Sequence, residues 1–344
     1  MTDTAFGDAA GSLATRKHAN EWGLFLALVS CVTLAPFAAA PLVSHVIPQD
    51  SSALYVYAAL VFLGANFHVA STGWFYTDPE MRSHFRARPV RYIVVPCLLV
   101  SGSAATFYFV DRALLPYFVI SFLCWQLWHY QKQNIGLLSF IAAGTDGAPL
   151  SIWERRTLAL AAFAGILGLF SILQMGPPYL AAAFLRFHSV GMALYCLVPV
   201  AFCIAVVNNP ALRANRIRLL FFLITALFFF PTFVFSDSTS ALAGYAIAHG
   251  LQYLVFMGFV SASKGKTTVS LIKLLAIATF GGILLDRAAD ARDWLERPYE
   301  LAIYGAFLGL VMTHFVLDAG IWRLRESFQR NYMRKAFYFV FDRG

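Results

Sequence analysis

Continuous apolar runs of about 20 residues recur along this chain, and that length matches the hydrocarbon thickness of a bilayer. No other feature restricts the fold as much. In lipid every backbone N–H and C=O must find a partner within the protein, so only helices and closed barrels span it. A barrel strand alternates apolar and polar residues, whereas these runs are apolar throughout, so they predict helices. About ten spans are expected, at 22–44, 53–76, 91–110, 114–141, 156–176, 179–207, 217–236, 238–262, 267–286 and 299–322. The expected fold is therefore all-α, a polytopic integral membrane helical bundle. It divides into a lead-in (1–21), a transmembrane domain (22–322) and a basic-aromatic tail (323–344). Composition agrees: 59% of residues are hydrophobic and 13% charged, against roughly half and a quarter in soluble domains.

The net charge of +8 excludes less than its distribution does. Most of the Lys and Arg fall in segments on one side of the predicted membrane, among them Arg82, Arg86, Arg88, Arg155, Arg156, Arg213, Arg216, Arg218, Arg323, Arg325 and Arg330. By the positive-inside rule both termini are expected in the cytosol. The charge reports topology and attraction to membrane lipids rather than a nucleic-acid groove. The expected location is a multi-pass protein of a membrane such as the bacterial inner membrane. Met1 to Lys17 lacks the short h-region of a cleaved signal peptide.

The loop at 287–300, with Trp294, is expected to lie on the membrane surface, and the aromatic residues of the tail to form an interfacial anchor. Cys31, Cys97, Cys124, Cys196 and Cys203 fall in spans without CxxC spacing, so they read as buried packing residues. His18, His45 and His84 lie between spans and are expected to face solvent.

Ionisable residues inside a membrane are costly and usually functional. Four spans of the same direction, the second, fourth, eighth and tenth, each carry one histidine: His68, His129, His249 and His314. His68 and His314 each lie about 12 Å from the inner end of their span at a rise of 1.5 Å per residue. His129 and His249 fall slightly deeper, so the four form one layer between the bilayer centre and the inner leaflet. His188, on the sixth span, sits nearer the outer end and is a weaker fifth candidate. Asp318 follows His314 by one helical turn and shares its face. His129 stands in a polar run that includes Tyr130, Lys132, Gln133 and Asn134. Tyr253 and Gln252 flank His249, and Asn66, Ser71 and Thr72 flank His68.

Each feature has a plainer reading. A lone histidine can bond a carbonyl on the next helix, Asp318 can pair with Arg323 or Arg325, and Lys132 can snorkel to the interface. Four imidazoles at one depth favour a metal site, with His68, His129, His249, His314, Asp318 and, more weakly, His188 as ligands. Histidine with carboxylate and an open position suits non-haem iron, while Zn or haem b are also compatible with these donors. The expectation is a membrane metalloenzyme, an iron oxygenase or oxidase, acting on a lipophilic small molecule reached through the bilayer. Tyr130, Gln133 and Tyr253 would orient the substrate or move protons.

The HxxxH boxes of membrane desaturases are missing, as is the GxSxG elbow of serine hydrolases. One histidine per helix is similar in style to the membrane carotene-cleaving oxygenases of the Brp/Blh type. That architectural resemblance places isoprenoids and carotenoids among the expected substrates. A haem-b cytochrome and a proton-coupled transporter are the alternatives; no internal repeat supports the transporter.

Overall fold

The computed structural model describes residues 20–38, 58–145, 147–170, 178–235, 238–291 and 297–341, and among them there are helices and no strand. The helices are α1 (Asn20–Ala38), α2 (Ala58–Tyr76), α3 (Pro79–Ala87), α4 (Val90–Phe109) and α5 (Leu115–Ala143). There follow α6 (Ile152–Leu169), α7 (Pro178–Tyr195), α8 (Val198–Val207), α9 (Pro210–Ala214), α10 (Arg216–Ala226) and α11 (Pro231–Val234). The chain ends with α12 (Ser238–Ala262), α13 (Thr267–Asp290), α14 (Pro298–Ile321), α15 (Ser327–Ala336) and α16 (Tyr338–Phe341).

Seven described helical stretches are long and apolar enough to cross a membrane: α1, α2, α4, the joined α7–α8, α12, α13 and α14. This is fewer than the ten expected, and three stretches make up the difference. The helix at the expected span 156–176, α6, has 18 residues and carries Glu154, Arg155 and Arg156 near its start. The stretch expected as a span at 217–236 breaks after Ala226, and α11 starts anew at Pro231, which has no N–H to continue the helix. Its first piece, α10, has 11 residues and rises about 16 Å, roughly half a hydrocarbon core. In α5 the run from Trp128 to Asn134 dilutes the hydropathy of an otherwise long helix. The expected hairpin at Ser236–Asp237 and the Trp294 loop lie outside the described residues, as do His18 and His45.

Glycines set the closest helix contacts. A Cβ on Gly305 would lie 2.5 Å from Ser103 O, and one on Gly309 would lie 2.6 Å from Leu99 O. This small-xxx-small spacing lets α14 lie flush on α4, where close backbone approach replaces the absent hydrophobic drive between helices in lipid. Gly64 and Gly250 do the same for α2 and α12, since a Cβ on Gly250 would meet Gly64 O at 2.3 Å.

Two surface expectations are corrected. The tail is not an outward anchor: Phe337 and Phe339 are buried and pack against Phe25, Phe140, Phe256 and Phe259. Tyr332 donates a 2.8 Å hydrogen bond to Asp78 Oδ2, and Lys335 pairs with Glu80 at 2.9 Å, so α15 is fastened to α3. His84 is buried rather than solvated, stacked on Phe328 of α15 with ring centroids 3.9 Å apart. The cysteines also differ from expectation: Cys31, Cys97, Cys196 and Cys203 are free thiols on the outside of the bundle, and Cys124 is half-buried. Sulfur is apolar enough to face lipid as readily as core.

Candidate metal centre

Each of the four histidines is placed by the helix beneath it. In α2 a π-helical turn over Leu63–Phe67 immediately precedes His68, a local widening that recurs at functional sites. The Gly64–Gly250 contact lies one turn from His68 and next to His249, which brings their rings to 4.9 Å. In α5, Gln131 donates to Leu158 O of α6 at 2.8 Å. Gln252 of α12 donates to Asn134 at 3.3 Å and to Thr33 of α1 at 2.7 Å. These bonds fix the rotation of α5 and α12, so His129 faces His249 with centroids 4.9 Å apart. His314 completes the group, 4.9 Å from His68 and 5.2 Å from His129.

The four imidazoles therefore converge from four different helices. One donor atom from each of His68, His249 and His314 lies within 4.8 Å of the others, and the same holds for His129, His314 and Asp318. The Asp318 carboxylate stands 3.4 Å from His314 Nε2 and 3.7 Å from His129 Nε2. Among the described residues its ion pairs are with these two histidines, and Arg323 instead donates to Ala319 O and pairs with Glu326. His249 and His314 are each 1% exposed, His68 4%, Asp318 5% and His129 7%.

Hydrogen bonding separates these groups from ordinary buried polar residues. Both ring nitrogens of His68 and of His249, Nε2 of His129 and of His314, and Oδ1 of Asp318 are buried without a hydrogen-bond partner. A buried polar atom left unsatisfied costs about 1–3 kcal/mol, and buried polar groups in folded proteins are nearly always paired. A knot of unpaired imidazole nitrogens beside a carboxylate is a donor set that can hold a metal ion. His314 Nδ1 is already engaged, hydrogen-bonded to Thr72 Oγ1 at 2.7 Å, and Thr72 in turn bonds Tyr253 OH at 3.0 Å.

The remaining sequence candidates are placed as follows. Tyr253 touches the centre through Thr72 and lies with its ring 5.1 Å from that of His314. Tyr130 lies against the His249 ring at 4.3 Å, and its hydroxyl accepts from Gln126. Gln133 donates to His249 O at 2.8 Å and to Gln252 at 2.9 Å. His188 is not brought to the group; its Nδ1 is 2.7 Å from Gly168 O and its ring lies near Phe233. Thr72 was readable only as a neighbour of His68; its bond to His314 joins two helices, α2 and α14, across 242 positions, where spacing gives no signal. Phe315, stacked on His129 at 4.4 Å, could not be singled out in a chain so rich in Phe.

A cavity of about 500 Å³ opens onto one side of the centre. His129 and Asp318 line it together with Trp125, Trp128, Phe140, Phe256, Phe315 and Trp322, and with the polar side chains of Gln133, Gln252 and Tyr253. Compared with protein-family models, curated proteins and solved structures, the chain matches none.

Proposed function

We propose that this protein is an integral-membrane metalloenzyme in which the four histidines hold iron and a lipophilic substrate, such as a lipid or an isoprenoid or carotenoid, is oxidised with O2. One observation carries the reading: the partnerless ring nitrogens of His68, His129, His249 and His314 converge beside a partnerless Asp318 oxygen. A bound cation is the partner that all of them lack. Iron held there would supply redox chemistry towards O2, which histidine and carboxylate ligands support.

The chain's own residues do the rest. Thr72, bonded to His314 Nδ1, orients that ring and leaves Nε2 as the donor, the outer-shell arrangement common to metal-ligating histidines. Tyr253, bonded to Thr72, extends this chain and can hold a proton beside the centre. The aromatic rings of the cavity can admit an apolar molecule beside His129 and Asp318. A single ion fits better than haem b, because the imidazoles meet edge to face with centroids 4.9 to 6.2 Å apart. No flat slot for a porphyrin lies between such rings.

Elemental analysis of purified protein tests the proposal, repeated on His129→Ala and His314→Ala. Stoichiometric iron in the wild type and its loss in both variants is the expected result. Wild-type protein that binds neither iron nor another transition metal would end the reading, and stoichiometric zinc in its place would remove the oxygenase.

A further inference from the structure

The cavity has a second polar feature that the metal centre does not use. Lys132, Arg323 and Arg325 line it together with Trp128 and Trp322. Of the three cations, Arg323 is occupied by Ala319 O and Glu326. Among the described residues neither Lys132 nor Arg325 makes a hydrogen bond or ion pair; both side chains are exposed, and Lys132 lies 5.4 Å over the Trp128 ring. Asp318, the one acidic residue in the lining, faces the histidines. Arg325 follows the end of α14 at Ile321, where a membrane-spanning helix meets the head-group layer. The cavity is therefore apolar and aromatic along its walls, metal-binding at one side and cationic at its rim.

An uncharged hydrocarbon would leave those two cations without a function. A two-chain phospholipid exceeds a space of about 500 Å³, which falls within the ~300–1,000 Å³ typical of sites for single small molecules. We infer that the substrate is a single-chain amphiphile with a carboxylate head, a long-chain fatty or isoprenoid acid. Its carboxylate would be held by Lys132 and Arg325, and its chain would run past the His129–Asp318 wall. Arginine presents a planar fork that matches two carboxylate oxygens, and lysine adds a second point charge. With the head at the rim, the position nearest the centre lies along the chain and not at the carboxyl group. This inference rests on the metalloenzyme reading for its chemistry, but its binding step can be measured separately.

The probes are 9,10-dibromostearate and its methyl ester, which quench tryptophan and differ only in the head. Full-length protein in lipid nanodiscs is titrated with each, and quenching of the cavity tryptophans is followed. The acid is expected to saturate at a concentration about tenfold below the ester, a difference near 1.4 kcal/mol. The Lys132→Gln/Arg325→Gln double variant is expected to abolish that difference. Gly136 lines the cavity and has open space where a Cβ would go, so Gly136→Phe places a ring into the cavity. That variant is expected to lose the saturable component for both probes.

Equal quenching by acid and ester in the wild type overturns the inference, as does an acid preference that survives in the double variant. Metal content is measured on the same samples. Stoichiometric metal with no acid preference sinks this inference alone, whereas an acid preference in protein that binds no metal sinks the metalloenzyme reading and leaves the carboxylate site standing.

Discussion

The four-histidine centre and the cluster around Glu154 and Arg218 are both buried polar islands in an apolar bundle, and they are completed differently. Arg218 and Glu154 are each 0% exposed. Arg218 donates from Nε to Glu154 Oε1 at 3.1 Å and from Nη2 to Oε2 at 2.9 Å. Its remaining N–H groups reach Ala148 O and Pro149 O. Glu154 also accepts from Ser151 N and Asn209 Nδ2. Each charge is covered by a fixed partner, so the cluster staples α6, α10 and the turn before α9. At the histidine centre the same accounting leaves donor atoms over. A closed cluster acts as structure, whereas unclaimed donor atoms grouped within coordination distance are what the proposed metal would use.

The comparison can be broken by experiment, beginning with the largest effect. Arg218→Met leaves Glu154 buried and uncompensated, and breaking such a pair costs about 3–5 kcal/mol. Thermal unfolding in detergent should show a large fall in midpoint, while metal per folded molecule stays at the wild-type value. If metal is lost along with stability, the two islands are not independent. At the centre, Thr72→Val removes the bond that orients His314, and loss of such a partner weakens metal affinity about 10–100-fold. Competition with a chelator of known affinity measures this, and unchanged affinity would show that Thr72 plays no part in holding the metal.

His249→Leu sharpens the contrast from the other side. It deletes two unpartnered nitrogens, so chelator-treated protein should be at least as stable as chelator-treated wild type, by up to about 1–3 kcal/mol. A lower unfolding midpoint would mean that His249 has a structural role like that of Arg218.

The smallest effect lies at neither island. Burial, and then the nearby Arg88, hold the His84 imidazole below its usual value of 6.5. The folded protein thus binds the proton less readily than the unfolded chain. Its contribution is present above pH 6.5 and fades as pH falls towards the lowered folded-state value. Tail docking, read by proteolysis within α15, should loosen on acidification, and His84→Gln should remove that pH dependence.

Much of this was legible along the chain, and the misses share a cause. Periodicity and length identify α2, α4, α12, α13 and α14 because a span announces itself locally. The break at Pro231 and the short α10 were hidden inside an unbroken apolar run, where hydropathy alone cannot distinguish one helix from two pieces. Arg218 counted as a loop charge, although its partner Glu154 lies 64 positions away. His84 and the tail aromatics were assigned to water and interface, since nothing in the sequence shows that α15 folds back on α3. Asp318 was readable from its i,i+4 spacing to His314, and the expectation that the four histidines belong together agrees with the convergence of their rings.

The sequence by itself determined that the chain is an all-helical membrane protein with four histidines, one on each of four long helices. Those properties depend on neighbours a few residues apart and on the length of each run. Only the tertiary structure decided that the imidazoles meet, that His188 does not join them, and that Thr72 rather than a neighbour on α14 bonds His314. Helix rotation sets such contacts, and rotation follows from close approaches such as Gly64 on Gly250 and from bonds such as Gln252 to Asn134. Both arise between residues far apart in the chain, where spacing carries no signal.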